Sequence, residues 1–343
     1  MYNIILEESP QRLLGLMMGC GSFVTAAAPA IGPTFGGIMT QYFTWRYIFI
    51  CVLPVIILAS FIGYFCMSEQ IINKHEKFDL LSFIAVALAF VSLIMGFSNL
   101  NQIVDDLVCV LGCFIIGIIS LYYFTKRQLH IKNSLIRIEI FNHKGFTFHT
   151  LAIMFLQMTT LGYGLLLPTF VQIGLKQSAT DAGVVLLPGA IVGAVFAPIG
   201  GLILDRLGAK KPIILGLCGS FIATFCFLFF FENLTYQSCI LFYFIYSLGI
   251  GLIVGNTMTS AMSYLPKNLQ ADGNATLQTL MQLSGGIGTS ITATILAFVQ
   301  QETNLYDGTN RGALFVLIFL MFNINIVILS QYFAFKGGKK NEF

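Results

Sequence analysis

Ten stretches of this chain are apolar, at least 19 residues long, and free of Asp, Glu, Lys and Arg: 13–40, 47–67, 80–100, 107–125, 146–172, 183–204, 213–231, 239–262, 273–299 and 312–335. A helix of about 20 apolar residues crosses the ~30 Å hydrocarbon core of a bilayer. In lipid the backbone must satisfy its own hydrogen bonds, so a chain of such stretches folds as helices. The pattern predicts an all-α polytopic membrane protein with about ten transmembrane helices. Composition agrees: of 343 residues, 57% are hydrophobic and 10% charged, where a soluble domain carries about a quarter charged residues. A net charge of +3, thinly spread, leaves no basic stripe for nucleic acid. So apolar a chain is not intrinsically disordered.

The loops give an orientation. Arg12, Lys74, Lys77, Lys126, Arg127, Lys132, Arg137, Lys144, Arg206, Lys210, Lys211, Lys267, Lys336, Lys339 and Lys340 fall on the side of the termini, and Arg46, Lys176 and Arg311 on the other. The positive-inside rule then places both termini in the cytoplasm and the chain in the plasma membrane. The longest connection, from Lys126 to Gly145, is basic and carries an apolar run, Leu135 to Phe141. It reads equally as an amphipathic linker on the cytoplasmic membrane surface or as a solvated one. The eight cysteines lie scattered through apolar stretches with no CxxC pair, as small embedded hydrophobes do. No phosphate-binding GxxxxGK[ST] loop, metal cluster or Ser/His/Asp set is present, so neither an enzyme nor a cofactor is expected.

Small residues mark the sites of close helix packing. In the first span Ala28, Gly32 and Gly36 recur every fourth residue, with Pro29 and Pro33 between them. Gly189, Gly193, Ala197 and Gly201 repeat the spacing in the sixth span. Such stripes let a neighbouring backbone approach. In the ninth span Asn274, Gln278 and Gln282 form a polar stripe. A stripe of that kind faces protein or a water-filled cavity, not lipid. With Gln157, Tyr163, Asn256, Asn323 and Asn325 it reads either as the lining of a neutral pocket or as interhelical hydrogen-bonding glue. His149 reads as an interfacial polar residue, and Asp79, Asp181 and Glu232 sit at span ends.

Three blocks carry a family resemblance. Gly32-Pro33-Thr34-Phe35-Gly36-Gly37, followed by Trp45-Arg46-Tyr47-Ile48-Phe49 and Pro54, resembles the antiporter motif and the next helix of major facilitator superfamily drug exporters. Ala28 stands in place of the usual first Gly, and Val52 where Asn is common. Leu167-Pro168-Thr169-Phe170-Val171-Gln172, then Ala182-Gly183 and Leu187-Pro188, is similar to a pattern of the fourteen-helix drug:proton antiporter branch, the EmrB/QacA type. Gly201, Asp205, Arg206, Gly208 and Lys210 resemble the second copy of the superfamily's cytoplasmic GxLxDRxGxK loop.

The resemblance implies a major facilitator-type helical bundle in four parts. Residues 1–68 correspond to the last two helices of the N-terminal bundle, and 69–126 to two linker transmembrane helices. A cytoplasmic linker follows at 127–145, and a complete six-helix C-terminal bundle at 146–343. It also implies proton-coupled efflux of amphipathic drugs by alternating access, with the loop around Asp205 acting as a latch. The family's first four helices, with the coupling acid, have no counterpart here, so an N-terminally truncated form is expected. A transporter of a dedicated metabolite and an inactive or non-transporting fragment are the alternatives. Oligomeric state stays open.

Overall fold

The computed structural model describes residues 5, 9–10, 13–66, 79–100, 106–131 and 136–337, the backbone alone at 26–30 and 66. Of the basic loop residues, Arg12, Lys74, Lys77, Lys132, Lys339 and Lys340 therefore lie outside it. The helices are α1 (Leu14–Tyr42), α2 (Arg46–Cys66), α3 (Leu80–Ser98), α4 (Leu107–His130), α5 (Lys144–Thr169), α6 (Ala179–Val184), α7 (Leu187–Leu207), α8 (Lys210–Phe229), α9 (Tyr236–Ser263), α10 (Lys267–Glu302) and α11 (Leu305–Gly337). Among the described residues nine helical segments are long and apolar enough to cross a membrane. The 29-residue α1 is a further helix of that length. The chain is an all-α, multi-pass membrane protein.

Prolines set two breaks inside the expected spans. Pro168 lies near the end of α5, and the chain then widens into a π-turn over Phe170–Gly174. Proline removes an amide donor and crowds the carbonyl one turn back, and wider turns arise at such places. The sixth span opens with the short α6, capped by a reciprocal Ser178–Asp181 box. It restarts at Leu187 with Pro188 in the first turn of α7, where proline's missing amide forfeits no bond within the new helix.

Helices α5 and α7–α11 form one bundle. Its largest core joins α5, α8, α9 and α11 through Tyr163, Phe227, Phe242, Tyr246 and Leu320. A second core, at the end where α10 starts, gathers Ile140, Phe146, Tyr264, Leu265 and Leu269 with Met18 of α1. The expected linker ends here. Residues 138–142 form a 3₁₀ turn, Ile140 is fully buried in that core, and Arg137 pairs with Asp272 of α10 at 3.1 Å. The apolar side of the turn is thus covered by protein.

Two attachments flank the bundle. Helix α1 packs along α6, α7 and α9. Helices α3 and α4 pair with each other, Gly96 against Phe114 and Gly117 against Leu93. The pair docks on α10, where the Thr294 hydroxyl donates to the Phe97 carbonyl at 2.8 Å. By contrast, α2 buries none of its residues from Arg46 to Phe65.

Candidate functional site

The loop around Asp205 is built on the last two turns of α7. Gly208 ends the helix with φ +80° and ψ 161°, a region essentially restricted to glycine. One turn before, the Asp205 carboxylate reaches across to α1. Its Oδ1 accepts the Gly15 amide at 2.9 Å and its Oδ2 the Leu16 amide at 3.0 Å. These amides lie in the first turn of α1, which has no side-chain cap of its own. A carboxylate there satisfies two orphan donors and offsets the positive end of the helix dipole, worth about 1 kcal/mol.

The reach depends on glycine. A Cβ on Gly201 would collide with the Gly15 carbonyl oxygen. A Cβ on Gly15 would lie 2.6 Å from both the Asp205 Oδ1 and the Gly201 carbonyl. Gly19, a turn further on, meets the Ala197 carbonyl and Pro198 just as tightly. Arg206 and Lys210 flank the turn and are exposed.

At its far end α1 lies against α6. The Pro33 carbonyl abuts Gly183, and Gly37 abuts the Ala179 carbonyl. The Thr34 hydroxyl donates to the Gly183 carbonyl at 3.1 Å, and the Thr180 amide to the Gln41 side chain at 3.0 Å. Among the described side chains the contact face therefore carries Gly15, Gly19, Pro33 and Gly37, and neither Gly32 nor Gly36. Added Cβ atoms at Gly32 and Gly36 meet nothing within 4 Å among the described residues, and the Ala28 side chain lies outside them. Helical geometry explains the shift. Eighteen residues make five full turns at about 3.6 per turn, so Pro33 stands directly above Gly15, and Gly32 is rotated away by about 100°.

Between α1, α5, α7, α9 and α10 lies a cavity of about 340 Å³. Its polar lining comes from Ser22 and Thr25 of α1, Gln157 and Thr160 of α5, Tyr243, Tyr246 and Ser247 of α9, and Gln278 and Gln282 of α10. Met258 and Met281 supply adaptable apolar wall. Thr160 and Tyr246 share a hydrogen bond of 3.0 Å. No carboxylate, lysine or arginine among the described residues lines the cavity. Such a chamber accepts a molecule by shape, aromatic contact and amide hydrogen bonds.

Of the residues singled out in the sequence as pocket lining, Gln157, Gln278 and Gln282 meet at this cavity and five do not. Tyr163 is fully buried and donates its hydroxyl to Thr224 at 2.9 Å. Its ring lies 4.7 Å from that of Tyr246, centroid to centroid. Asn256 donates to the Leu252 carbonyl of its own helix at 2.7 Å, where Gly200 of α7 closes over it. Asn274 and Asn323 are buried, outside the cavity. Asn325 is exposed and bonds back to the Met321 carbonyl. His149 is buried too, its Nε2 3.1 Å from the Ser260 hydroxyl. Ser22, Thr25, Tyr243 and Tyr246 were missed, although polar residues inside charge-free spans are the same signal that marked the glutamines.

Asp79 is the N-cap of α3 and binds Arg127 of α4 in two parallel bonds, 3.0 Å each. The guanidinium, with Ser82, holds the carboxyl down to about 2. This acid is occupied in joining two helices.

The structure is thus a helical membrane bundle with a neutral cavity, joined to a neighbouring helix by glycine contacts and one carboxylate. The model of the Major Facilitator Superfamily matches residues 1–289, and the chain belongs to that superfamily. It is 32% identical over 308 residues to the lincomycin resistance protein LmrB of Bacillus subtilis (strain 168), covering 88% of this chain and 64% of LmrB. To the putative multidrug resistance protein MdtD of Escherichia coli O1:K1 / APEC it is 24% identical, covering 93% of this chain and 68% of MdtD. The chain thus spans about two thirds of the length of these relatives. A crystal structure of a bacterial homologue of the human lysosomal transporter Spinster aligns with a TM-score of 0.49 at 13% identity, over 75% of this chain and 69% of that one. The likeness to drug exporters drawn from the motifs is borne out by these relatives.

Proposed function

We propose that this chain is the larger part of an exporter of amphipathic small molecules that works by alternating access and is driven by protons. The observation that carries the reading is the pair of Asp205 bonds to the first turn of α1. They join two elements across a glycine contact that has little side-chain interlock to hold it. A contact of this kind is made or broken as a unit, which suits a two-state device. The neutral cavity beside it fits ligands recognised by rings and amides, and the relatives are named for resistance to lincomycin and to multiple drugs. In this reading residues 1–68 and 146–343 belong to opposing bundles, 69–126 and 127–145 connect them, and both termini face the cytoplasm.

Exposed α2 favours a second reading, in which residues 1–343 alone do not transport because α2 is left unburied among the described residues. One experiment separates the two. The chain is expressed in cells stripped of other exporters, and accumulation of a fluorescent amphipathic dye is followed with and without a protonophore. Lower accumulation that the protonophore abolishes supports the first reading. Unchanged accumulation supports the second, and efflux that survives the protonophore removes the proton coupling.

A further inference from the structure

A second cavity, of about 710 Å³, opens on the side of the bundle between α8 and α11. Its walls are apolar, from Ile214, Phe221, Ile222 and Ile328, and Ile214 and Ile222 are about half exposed toward the lipid. Charge is confined to one end, where Lys210 begins α8 and Lys336 lies in the last turn of α11. No ion pair among the described residues engages either lysine. The first turn of α8 has no side-chain cap, so its free amides add to the positive potential.

Gln331, one and a half turns inward from Lys336, also lines the groove. It is 2% exposed. Its Nε2 lies 3.1 Å from the Thr257 hydroxyl, and its other amide atom has no partner. A hydroxyl both gives and takes hydrogen bonds, so the amide keeps Thr257 when turned over and then offers an N–H to the groove. A positive mouth, a donor beneath it and an apolar slot below follow the layers of a phospholipid: phosphate, ester carbonyl, acyl chain.

We propose that this groove binds one anionic phospholipid. The phosphate lies between Lys210 and Lys336, an ester carbonyl accepts from Gln331, and an acyl chain runs between α8 and α11. That the lipid comes from the cytoplasmic leaflet rests on the orientation proposed above. Anionic lipid is the occupant that complements two lysines at a membrane surface, neither held in an ion pair among the described residues.

The test uses the purified chain in a neutral detergent, titrated with phosphatidylglycerol or with phosphatidylcholine of the same acyl chains. Retained lipid is counted by native mass spectrometry. The expected result is one phosphatidylglycerol per chain, held about tenfold more tightly than phosphatidylcholine. Lys210→Gln with Lys336→Gln should remove that preference. Ile222→Trp, which fills the slot from an exposed position, should lower retention of both lipids. Equal retention of the two lipids, or a preference untouched by the double variant, overturns the proposal. So does displacement of bound lipid by the amphipathic dye, which assigns the groove to substrate entry. Retention is read without transport, so a chain that exports nothing leaves this result intact.

Discussion

Asp205 does for α1 what a capping side chain does for its own helix, but from a different helix. Leu13 precedes the first turn of α1 and has no side-chain acceptor to give, so the Gly15 and Leu16 amides depend on the distant carboxylate. Replacing Asp205 by Ala leaves both donors unpaired between α1 and α7. The expected cost is about 1–2 kcal/mol, read as a lower thermal midpoint of the purified chain in detergent. Asp205→Asn keeps one acceptor and should fall between the two. Asp79 is a carboxylate with a different duty. Its bidentate bond to Arg127 serves the α3–α4 pair, so an acid at a span end does not by itself mark a proton site. Asp205 itself stood out in the sequence because its loop carries a recognisable order of residues. The target amides did not, since nothing in residues 13–16 announces which helix start will be uncapped.

Along whole elements, the spacing of small residues was legible and the faces they form were not. A four-residue stripe drifts by about 40° per step around an ideal helix. The run Gly189, Gly193, Ala197, Gly201 therefore does not serve one partner. Gly189 and Gly193 meet Tyr243 and Ser247 of α9, whereas Ala197 and Gly201 meet Gly19 and Gly15 of α1. The same drift takes Gly32 and Gly36 off the face of α1 that Pro33 and Gly37 share with α6. The crossing of α1 on α9 offers a direct check. A Cβ at Gly255 would sit 3.1 Å from the Ser22 hydroxyl, so the double variant Ser22→Cys, Gly255→Cys should form a disulfide under mild oxidation. Adding Gly201→Val pushes α1 off α7 and should abolish that cross-link. Its persistence would show that the Gly15–Gly201 contact does not position α1.

For the whole molecule, the count of apolar stretches carried the fold, because every helix that crosses lipid must look alike in hydropathy. Their arrangement was written in less distinctive signals. Polar residues in charge-free spans pointed to Gln157, Gln278 and Gln282, which do meet at the cavity. The same rule selected Tyr163 and Asn256, which close hydrogen bonds inside helix packing. Sequence alone does not separate a polar group facing a cavity from one facing a neighbour. The central claim is that α1 and α7 are held together in one state and released in another, with Asp205 as the fastener. It is tested by attaching spin labels at two exposed positions beside the latch, Met17 and Leu207, in the chain reconstituted into lipid nanodiscs. Pulsed electron resonance then reads their separation. The account predicts two distances whose populations exchange when the amphipathic dye is added, and a shift toward the longer one in Asp205→Asn. A single distance, indifferent to dye and to that substitution, would contradict it.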